Sequence, residues 1–220
     1  PGGPSPAEAR EWRRLADVLV DGFRADQGRH EQFRGFDQLD PLLITTASET
    51  PVAADVLLGP DVVRRSQVVK QADVLMLHHL LPGEVEGSSL IGDLEYYGPR
   101  TSHGSSLSPA IHASVLARAG RVNEALHWFG VAGRIDIDDL TGTTAAGLHL
   151  GTLGGLWQAV AKGFLGLDPG PDGLTVDPRL PDAWEGVELR ATVHGREVTI
   201  RATADETIVS SDGPLRVGPG

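Results

Sequence analysis

The spacing of the apolar residues changes once along this chain, near residue 167, and that change limits the folds the chain can adopt. Before it, apolar residues recur at helical spacing; after it, short runs alternate between apolar and polar residues, which is typical of strands. A segment rich in glycine, proline and aspartate, residues 168–173, separates the two patterns. We therefore predict a mainly α fold, with helices over residues 1–167 and a small antiparallel β-strand domain over residues 168–220.

Start and stop signals divide the first part into helices. Ser5, Pro6 and Glu8 form a capping box with proline at the first helical position, and Ser108-Pro109 repeats the cap-and-proline pattern. The predicted helices cover residues 5–23, 60–81, 90–97, 108–119, 121–133 and 148–164.

The second part predicts strands over residues 173–176, 187–193 and 197–202, with one or two more within 208–217. His194-Gly195 suits a tight hairpin turn. A sheet of about 50 residues is marginal by itself, so we expect it to pack on the helices.

The composition excludes several classes of partner. A formal net charge of −11 disfavours nucleic acids and anionic membranes as partners. The chain has no cysteine, which rules out disulfides and thiolate metal sites. It contains no apolar run of about 18 residues that could span a membrane, and its first residues do not resemble a signal peptide. We expect a cytoplasmic protein.

Three polar segments could carry chemistry. In the first, Lys70, Gln71 and Asp73 interrupt the apolar helix predicted over 60–81. A solvated stripe is the simpler interpretation. The apolar residues on both sides instead favour a buried helix, where polar groups need partners such as the hydroxyls of a ligand.

The second segment, residues 96–108, combines several hydroxyl side chains with Arg100 and His103 ahead of a helix. Helix N-termini attract anions, although serine-rich capping loops are also common. A serine hydrolase is disfavoured because no Gly-x-Ser-x-Gly turn follows a strand.

The third segment, residues 135–149, contains Asp136, Asp138 and Asp139, followed by glycine, threonine and His149. Its spacing does not fit an EF-hand, so calcium is not predicted. No His-Glu-x-x-His pattern occurs either. We predict no metal site, while a zinc site joining His103 and His149 stays open at this point.

Together these segments resemble glycoside hydrolase family 65, which contains maltose, trehalose and kojibiose phosphorylases and related hydrolases. Beyond the polar segments, the resemblance extends over residues 154–164 and the tail at residues 180–184. The matching stretches are Lys70-Gln71-Ala72-Asp73-Val74, Thr101-Ser102-His103-Gly104-Ser105-Ser106-Leu107-Ser108, Thr143-Thr144-Ala145-Ala146-Gly147-Leu148-His149, Gly154-Gly155-Leu156-Trp157-Gln158 and Leu180-Pro181-Asp182-Ala183-Trp184.

The resemblance implies the C-terminal part of an α/α toroid followed by a small β domain. It implies cleavage of an α-linked glucose disaccharide by inorganic phosphate, with inversion, to give β-glucose 1-phosphate. Phosphate would be a co-substrate, no cofactor would be needed, and the full-length protein could be a homodimer. Lys70 and Gln71 would bind the glucosyl unit. The phosphate pocket would be formed by His103, Ser105, Ser106 and His149.

The family's general acid is a glutamate in a segment that would lie upstream of Pro1, and neither Glu31 nor Glu49 stands in a matching segment. We therefore expect a C-terminal fragment that is inactive by itself. Two alternatives stay open. One is a hydrolase of the same family, with Asp136, Asp138 or Asp139 as the base that activates water. The other is a non-catalytic remnant or sugar-binding domain.

Overall fold

A computed structural model describes residues 3–44, 52–85, 87–171 and 173–219. Its helical part precedes its β part, which confirms the predicted fold class. The described α-helices are α1 (Pro6–Ala16), α2 (Ala54–Leu58), α3 (Pro60–Arg65), α4 (Asp73–Leu80), α5 (Ser89–Tyr97), α6 (Ser108–Arg118), α7 (Val122–Arg134) and α8 (Leu150–Gln158). A π-helical turn, Ala159–Phe164, continues α8. No helix of these ranges is long and apolar enough to cross a membrane.

Helix α1 begins as predicted but ends early. Ser5 accepts a hydrogen bond from the backbone of Glu8, whose side chain in turn accepts from the backbone of Ser5. The helix ends at Ala16, whereas the sequence predicted residue 23. Phe23 instead belongs to a short strand, β1 (Phe23–Arg24), which pairs with β2 (Arg29–His30). This backbone pairing competes with continuation of the helix.

The single helix predicted over 60–81 is wrong. Helices α3 and α4 are separated by an extended segment, residues 66–72. The backbone N–H of Val69 donates to Arg100 at 2.9 Å, and its carbonyl accepts from Ser102 at 2.9 Å. A short apolar run fits a buried strand as well as a helix, so periodicity could not separate the two. Pairing with a distant part of the chain decided the outcome.

Helix α6 lies at the centre of the helical part. Every residue from Ser108 to Ala117 is buried. It contacts α4, α7, α8 and the π-helical turn. The surrounding core contains Phe36, Leu75, Tyr97 and Phe164. Since α6 is enclosed on all sides, the loop that leads into it is held by the same core.

The β part forms two three-stranded sheets. One contains β3 (Asp168–Gly170), β4 (Gly173–Val176) and β8 (Val217–Pro219), and the other contains β5 (Val187–Val193), β6 (Arg196–Ala202) and β7 (Thr207–Ser211). The pairs β3–β4, β5–β6 and β6–β7 are antiparallel, as predicted, whereas β4 and β8 pair in parallel. The segment predicted as a turn, residues 168–173, contributes β3, which pairs with β4.

The turn between β5 and β6 is the predicted one. His194 and Gly195 both have positive φ, 50° and 74°, as a tight hairpin turn requires. The core of the β part includes Ala161 and Leu165, which come from the helical part. The sheets therefore pack on the helices, as the small size of this part predicted.

Candidate functional site

The first two polar segments lie side by side, because Val69 pairs with Thr101 and its backbone is hydrogen-bonded to Arg100 and Ser102. Lys70 is exposed and Gln71 half-buried, and both lie in a bend and not on the buried helix that the sequence indicated. Gln71 lines a narrow cleft together with Leu107, Ser108 and His112. The structure thus brings Gln71 to the start of α6.

The loop before α6 is fixed at several points. The Thr101 hydroxyl donates to the Tyr97 carbonyl at 2.7 Å. His103 has a φ of 52°, in the left-handed region that non-glycine residues rarely adopt. A Cβ at Gly104 would lie 2.6 Å from the Cα of Ala53, so only glycine fits there. These contacts restrain the loop and therefore also the positions of Ser105 and Ser106, which are both half-buried.

His103 lies beneath this loop and not on its surface. Its side chain is buried and stacks on Trp128, with ring centroids 3.7 Å apart. Its Nδ1 lies 3.0 Å from the hydroxyl of Ser108. Burial, together with the neighbouring His112 and His127, holds the pKa of His103 well below its usual value. His103 is therefore neutral at physiological pH.

Ser108 does not cap α6, which corrects the sequence interpretation. It is the first residue of the helix, and Leu107 occupies the capping position without a side-chain hydrogen bond. The Ser108 hydroxyl instead lies within reach of His103 and, at 3.4 Å, of the Nδ1 of His112. The Ser108 hydroxyl therefore links the buried imidazoles of His103 and His112.

His149 has a different environment. Its Nδ1 lies 2.5 Å from Oδ1 of Asp136, and its backbone N–H donates to Oδ2 of the same carboxylate at 2.8 Å. The hydrogen bond from His149 lowers the pKa of Asp136. The other ring nitrogen, Nε2, lies 3.2 Å from the hydroxyl of Thr143, an exposed residue.

The rest of this loop is arranged around a second carboxylate. Oδ1 of Asp139 accepts a hydrogen bond from the backbone of Thr144 at 2.9 Å, and this contact lowers the pKa of Asp139. Asp139 itself has a φ of 48°. Asp138 is exposed, and no side-chain partner for it is seen in the described part of the chain. Two of the three candidate bases are thus occupied in shaping the loop.

The second and third polar segments meet at the start of α8. The hydroxyl of Thr152 donates to the carbonyl of Ser106 at 2.9 Å. A Cβ at Gly151 would lie 2.6 Å from the side chain of Leu107, which shows how closely the loop approaches the helix. His149 occupies the capping position of α8. Two of the first N–H groups of α8 already have acceptors, because Leu150 donates to Leu148 and Thr152 to His149. The hydroxyls of Ser105 and Ser106, the N–H of Gly151 and the imidazole of His149 lie in this region, a donor set suited to an anion.

A buried polar group, absent from the sequence predictions, joins His30, His78 and Asp93. One oxygen of Asp93 lies 2.8 Å from Nδ1 of His30 and 2.8 Å from Nε2 of His78. Burial raises the pKa of Asp93, but hydrogen bonds from His78 and His30 outweigh that effect and lower it. The three residues are 48 and 15 positions apart, so no local pattern could have revealed them.

The ligand atoms of this trio lie within 4.8 Å of one another, close enough to consider a metal ion. Each imidazole already has the carboxylate oxygen as its acceptor, and the backbone N–H of His30 donates to the other oxygen at 2.7 Å. These hydrogen bonds satisfy a buried carboxylate. We therefore interpret the trio as part of the folded core.

Glu31, one of the two glutamates that do not match the expected general acid, has a local partner. Its Oε1 accepts hydrogen bonds from the backbones of Gly35 at 2.9 Å and Asp37 at 3.2 Å. Its carboxylate therefore stabilises a turn. Glu49 lies outside the described residues.

Comparison with known proteins gives matches along almost the whole chain. Residues 4–158 match the model of the glycosyl hydrolase family 65 central catalytic domain, and residues 167–218 match that of the family 65 C-terminal domain. A solved structure described as a kojibiose phosphorylase from human microbiome superposes with a TM-score of 0.84 at 26% identity, covering 98% of this chain and 29% of that one.

Several curated relatives are also phosphorylases. A kojibiose phosphorylase of Halothermothrix orenii is 34% identical over 92% of this chain and 26% of its own length. A 1,2-alpha-glucosylglycerol phosphorylase of Bacillus selenitireducens is 33% identical over 95% of this chain and 28% of its own length. An alpha,alpha-trehalose phosphorylase of Geobacillus stearothermophilus is 34% identical over 66% and 19%. The chain thus spans about a quarter of the length of the first two.

Proposed function

From the premise that this chain belongs to glycosyl hydrolase family 65, we propose that the whole protein is an inverting α-glucoside phosphorylase. It cleaves an α-linked glucose disaccharide with inorganic phosphate and releases β-glucose 1-phosphate. The kojibiose, trehalose and glucosylglycerol phosphorylases among its relatives support this reaction class. Their different names leave the linkage open.

The observation that carries the proposal is the chemistry at the start of α8. Ser105, Ser106 and His149 provide donors, whereas Asp136 and Asp139 are held in hydrogen bonds. An inverting hydrolase needs a carboxylate that activates water. Phosphate is already an anionic nucleophile, so a site for it needs donors and is weakened by free carboxylates.

The glucosyl unit is proposed to lie next to this pocket. Gln71 lines the cleft at Ser108, and Lys70 adjoins it with an exposed ammonium group. Both side chains offer donors suited to sugar hydroxyls. In this scheme no cofactor takes part, and the general acid is supplied by sequence upstream of Pro1. Association as a homodimer is part of the same proposal.

The test is product analysis with the whole protein. Kojibiose, trehalose and maltose are each incubated with and without phosphate, and the products are identified by NMR. We expect cleavage of at least one disaccharide that depends on phosphate and yields β-glucose 1-phosphate. Release of free glucose without phosphate contradicts the proposal and supports a hydrolase. Lack of turnover under all conditions supports a non-catalytic protein.

Asp138 keeps the hydrolase alternative open, because its carboxylate is exposed and free of visible side-chain partners in the described chain. If it activates water, Asp138→Asn abolishes cleavage. If the protein is a phosphorylase, the same variant retains phosphate-dependent cleavage, while Ser106→Ala raises the KM for phosphate.

A further inference from the structure

The carboxylate of Asp136 and the imidazole of His149 form a pair to which none of the comparisons assigns a role. We propose that Asp136 is a positioning residue: it holds the Nδ1–H of His149, so that the imidazolium directs its Nε2–H at the phosphate. This inference rests on the proposed function, because it concerns how the same pocket binds its anion.

The geometry restricts His149 to one orientation. Oδ1 of Asp136 lies 2.5 Å from the ring nitrogen, and Oδ2 accepts the backbone N–H of the same residue at 2.8 Å. One carboxylate thus holds both the ring and the backbone of His149. The side chains are 12% exposed for Asp136 and 21% exposed for His149, so the pair is partly shielded from water. An ordinary surface ion pair has neither feature.

Hydrogen bonds within the loop also fix the positions of its other polar groups. Asp139, with its positive φ, accepts the backbone N–H of Thr144, and Thr144 donates from its hydroxyl to Asp136 at 3.4 Å. Both carboxylates therefore accept hydrogen bonds that organise the loop, although Asp139 itself is exposed. The ring nitrogen of His149 that Asp136 does not contact is Nε2, which lies 3.2 Å from the hydroxyl of Thr143.

The protonation state follows from the acceptor. If a neutral imidazole donates its only N–H to Asp136, its Nε2 carries a lone pair, which repels a phosphate oxygen. Only the cation has an N–H at both nitrogens. In the proposed arrangement the negative charge of Asp136 lies directly opposite such a cation, at 2.5 Å. Asp136 thus both orients His149 and offsets its charge.

Few other charges act on this imidazole. On its own loop the acidic groups are Asp136, Asp138 and Asp139. The adjoining residues 105–107 and helix α8 contain no titratable side chain. Arg134, at the end of α7, is exposed and donates to the carbonyl of Gly130. The KM for phosphate should therefore depend on this pair.

The experiment compares Asp136→Asn with the wild-type whole protein. The asparagine keeps the size of the side chain but removes the charge. We expect the KM for phosphate to rise about 10- to 100-fold, the range found when histidine ligands of metals lose their carboxylate partners. The KM for the disaccharide should stay unchanged.

Two further variants separate positioning from a merely structural effect. Asp205→Asn, in an exposed turn of the β part, is the matched control and should behave as the wild type. Asp136→Asn should add little to His149→Asn, because the carboxylate acts through the imidazole. If Asp136→Asn unfolds the protein, Asp136→Glu, which keeps the charge but displaces the carboxylate, decides the point: its KM for phosphate should rise, and an unchanged KM contradicts the inference.

The outcomes also separate this inference from the proposed function. A wild-type protein that cleaves without phosphate overturns both. A phosphate-dependent wild type whose KM for phosphate is unchanged in Asp136→Asn overturns only the role of Asp136. A full effect of Asp136→Asn in the His149→Asn background shows a structural role and contradicts the inference as well.

Discussion

His103 and His149 occupy similar positions in the sequence, each in a polar loop ahead of a helix, yet their surroundings differ. His103 is buried against Trp128 and His112, and burial lowers its pKa. His149 is partly exposed and shares a hydrogen bond with Asp136. The first environment excludes a positive charge, whereas the second places the imidazole against a carboxylate. The difference teaches that residue type and loop position do not define the role of a histidine.

Among the variants that test the different environments of His103 and His149, Trp128→Ala is expected to have the largest effect. It removes the ring on which His103 stacks. We expect a loss of about 3 kcal/mol in the free energy of unfolding, the lower end for large aromatics, because Trp128 is only half-buried. Urea unfolding measures it, with Trp12→Ala, an exposed residue, as the control. A loss below about 0.5 kcal/mol, typical of surface substitutions, would show that His103 is held by other contacts.

The second effect concerns the pH dependence of the free energy of unfolding, to which the two environments should contribute differently. In the folded protein burial lowers the pKa of His112 to about 4, whereas the unfolded histidine titrates near 6.5. The unfolded chain then binds more protons, so stability present above pH 6.5 is lost as the pH falls towards about 4. His112 alone accounts for about 3 kcal/mol at about 1.4 kcal/mol per pH unit.

The pair at Asp136 behaves differently over this range. The pKa of Asp136 is lowered from 3.8, so the stability that its carboxylate contributes is lost only below that pH. Urea midpoints measured between pH 7 and pH 4 should fall, and the slope should flatten in His112→Asn. An unchanged slope in this variant would contradict the assignment of the effect to the buried imidazoles.

The third effect concerns function. His149→Gln should lower kcat/KM for phosphate about 100-fold, the lower end for loss of one donor to a reacting anion. Its unfolding free energy should change little, because His149 lies in an exposed loop. Steady-state kinetics and urea unfolding of the same sample measure both. Normal kinetics of His149→Gln would contradict the proposed role of His149 in binding phosphate.

The smallest effect is expected at Ser108. Ser108→Ala leaves the ring nitrogen of His103 without its hydroxyl partner, which should cost about 1–3 kcal/mol of stability. Ser106→Ala is the matched serine in the same loop, and it should alter phosphate binding with little change in stability. If Ser108→Ala instead alters phosphate binding and Ser106→Ala lowers stability, the roles assigned to these two serines are wrong.

Local signals predicted much of the fold. The capping box at Ser5, the limits of α5 and α7, and the hairpin at His194-Gly195 follow from residues only a few positions apart. The helix over 60–81 failed because the pairing of Val69 with the strand at Thr101 involves partners about 30 residues away. Propensity and periodicity contain no information about such partners.

The candidate site was predicted in the same uneven way. The sequence placed Ser105, Ser106 and His149 in donor-rich loops, and the contact of Thr152 with Ser106 brings these loops together. It treated Asp136 as a free carboxylate, although its partner is 13 residues away in the same segment. The trio of His30, His78 and Asp93 had no signal, because its members come from three separate elements.

The sequence by itself therefore determined the family, the order of helices and strands, and the residues available for an anion site. Only the tertiary structure decided which groups are charged. Burial and neighbouring charges set a protonation state, and both depend on contacts between distant parts of the chain. For that reason His103 and His149, similar in the sequence, differ in the folded protein: one is neutral in the core, and the other is paired with Asp136.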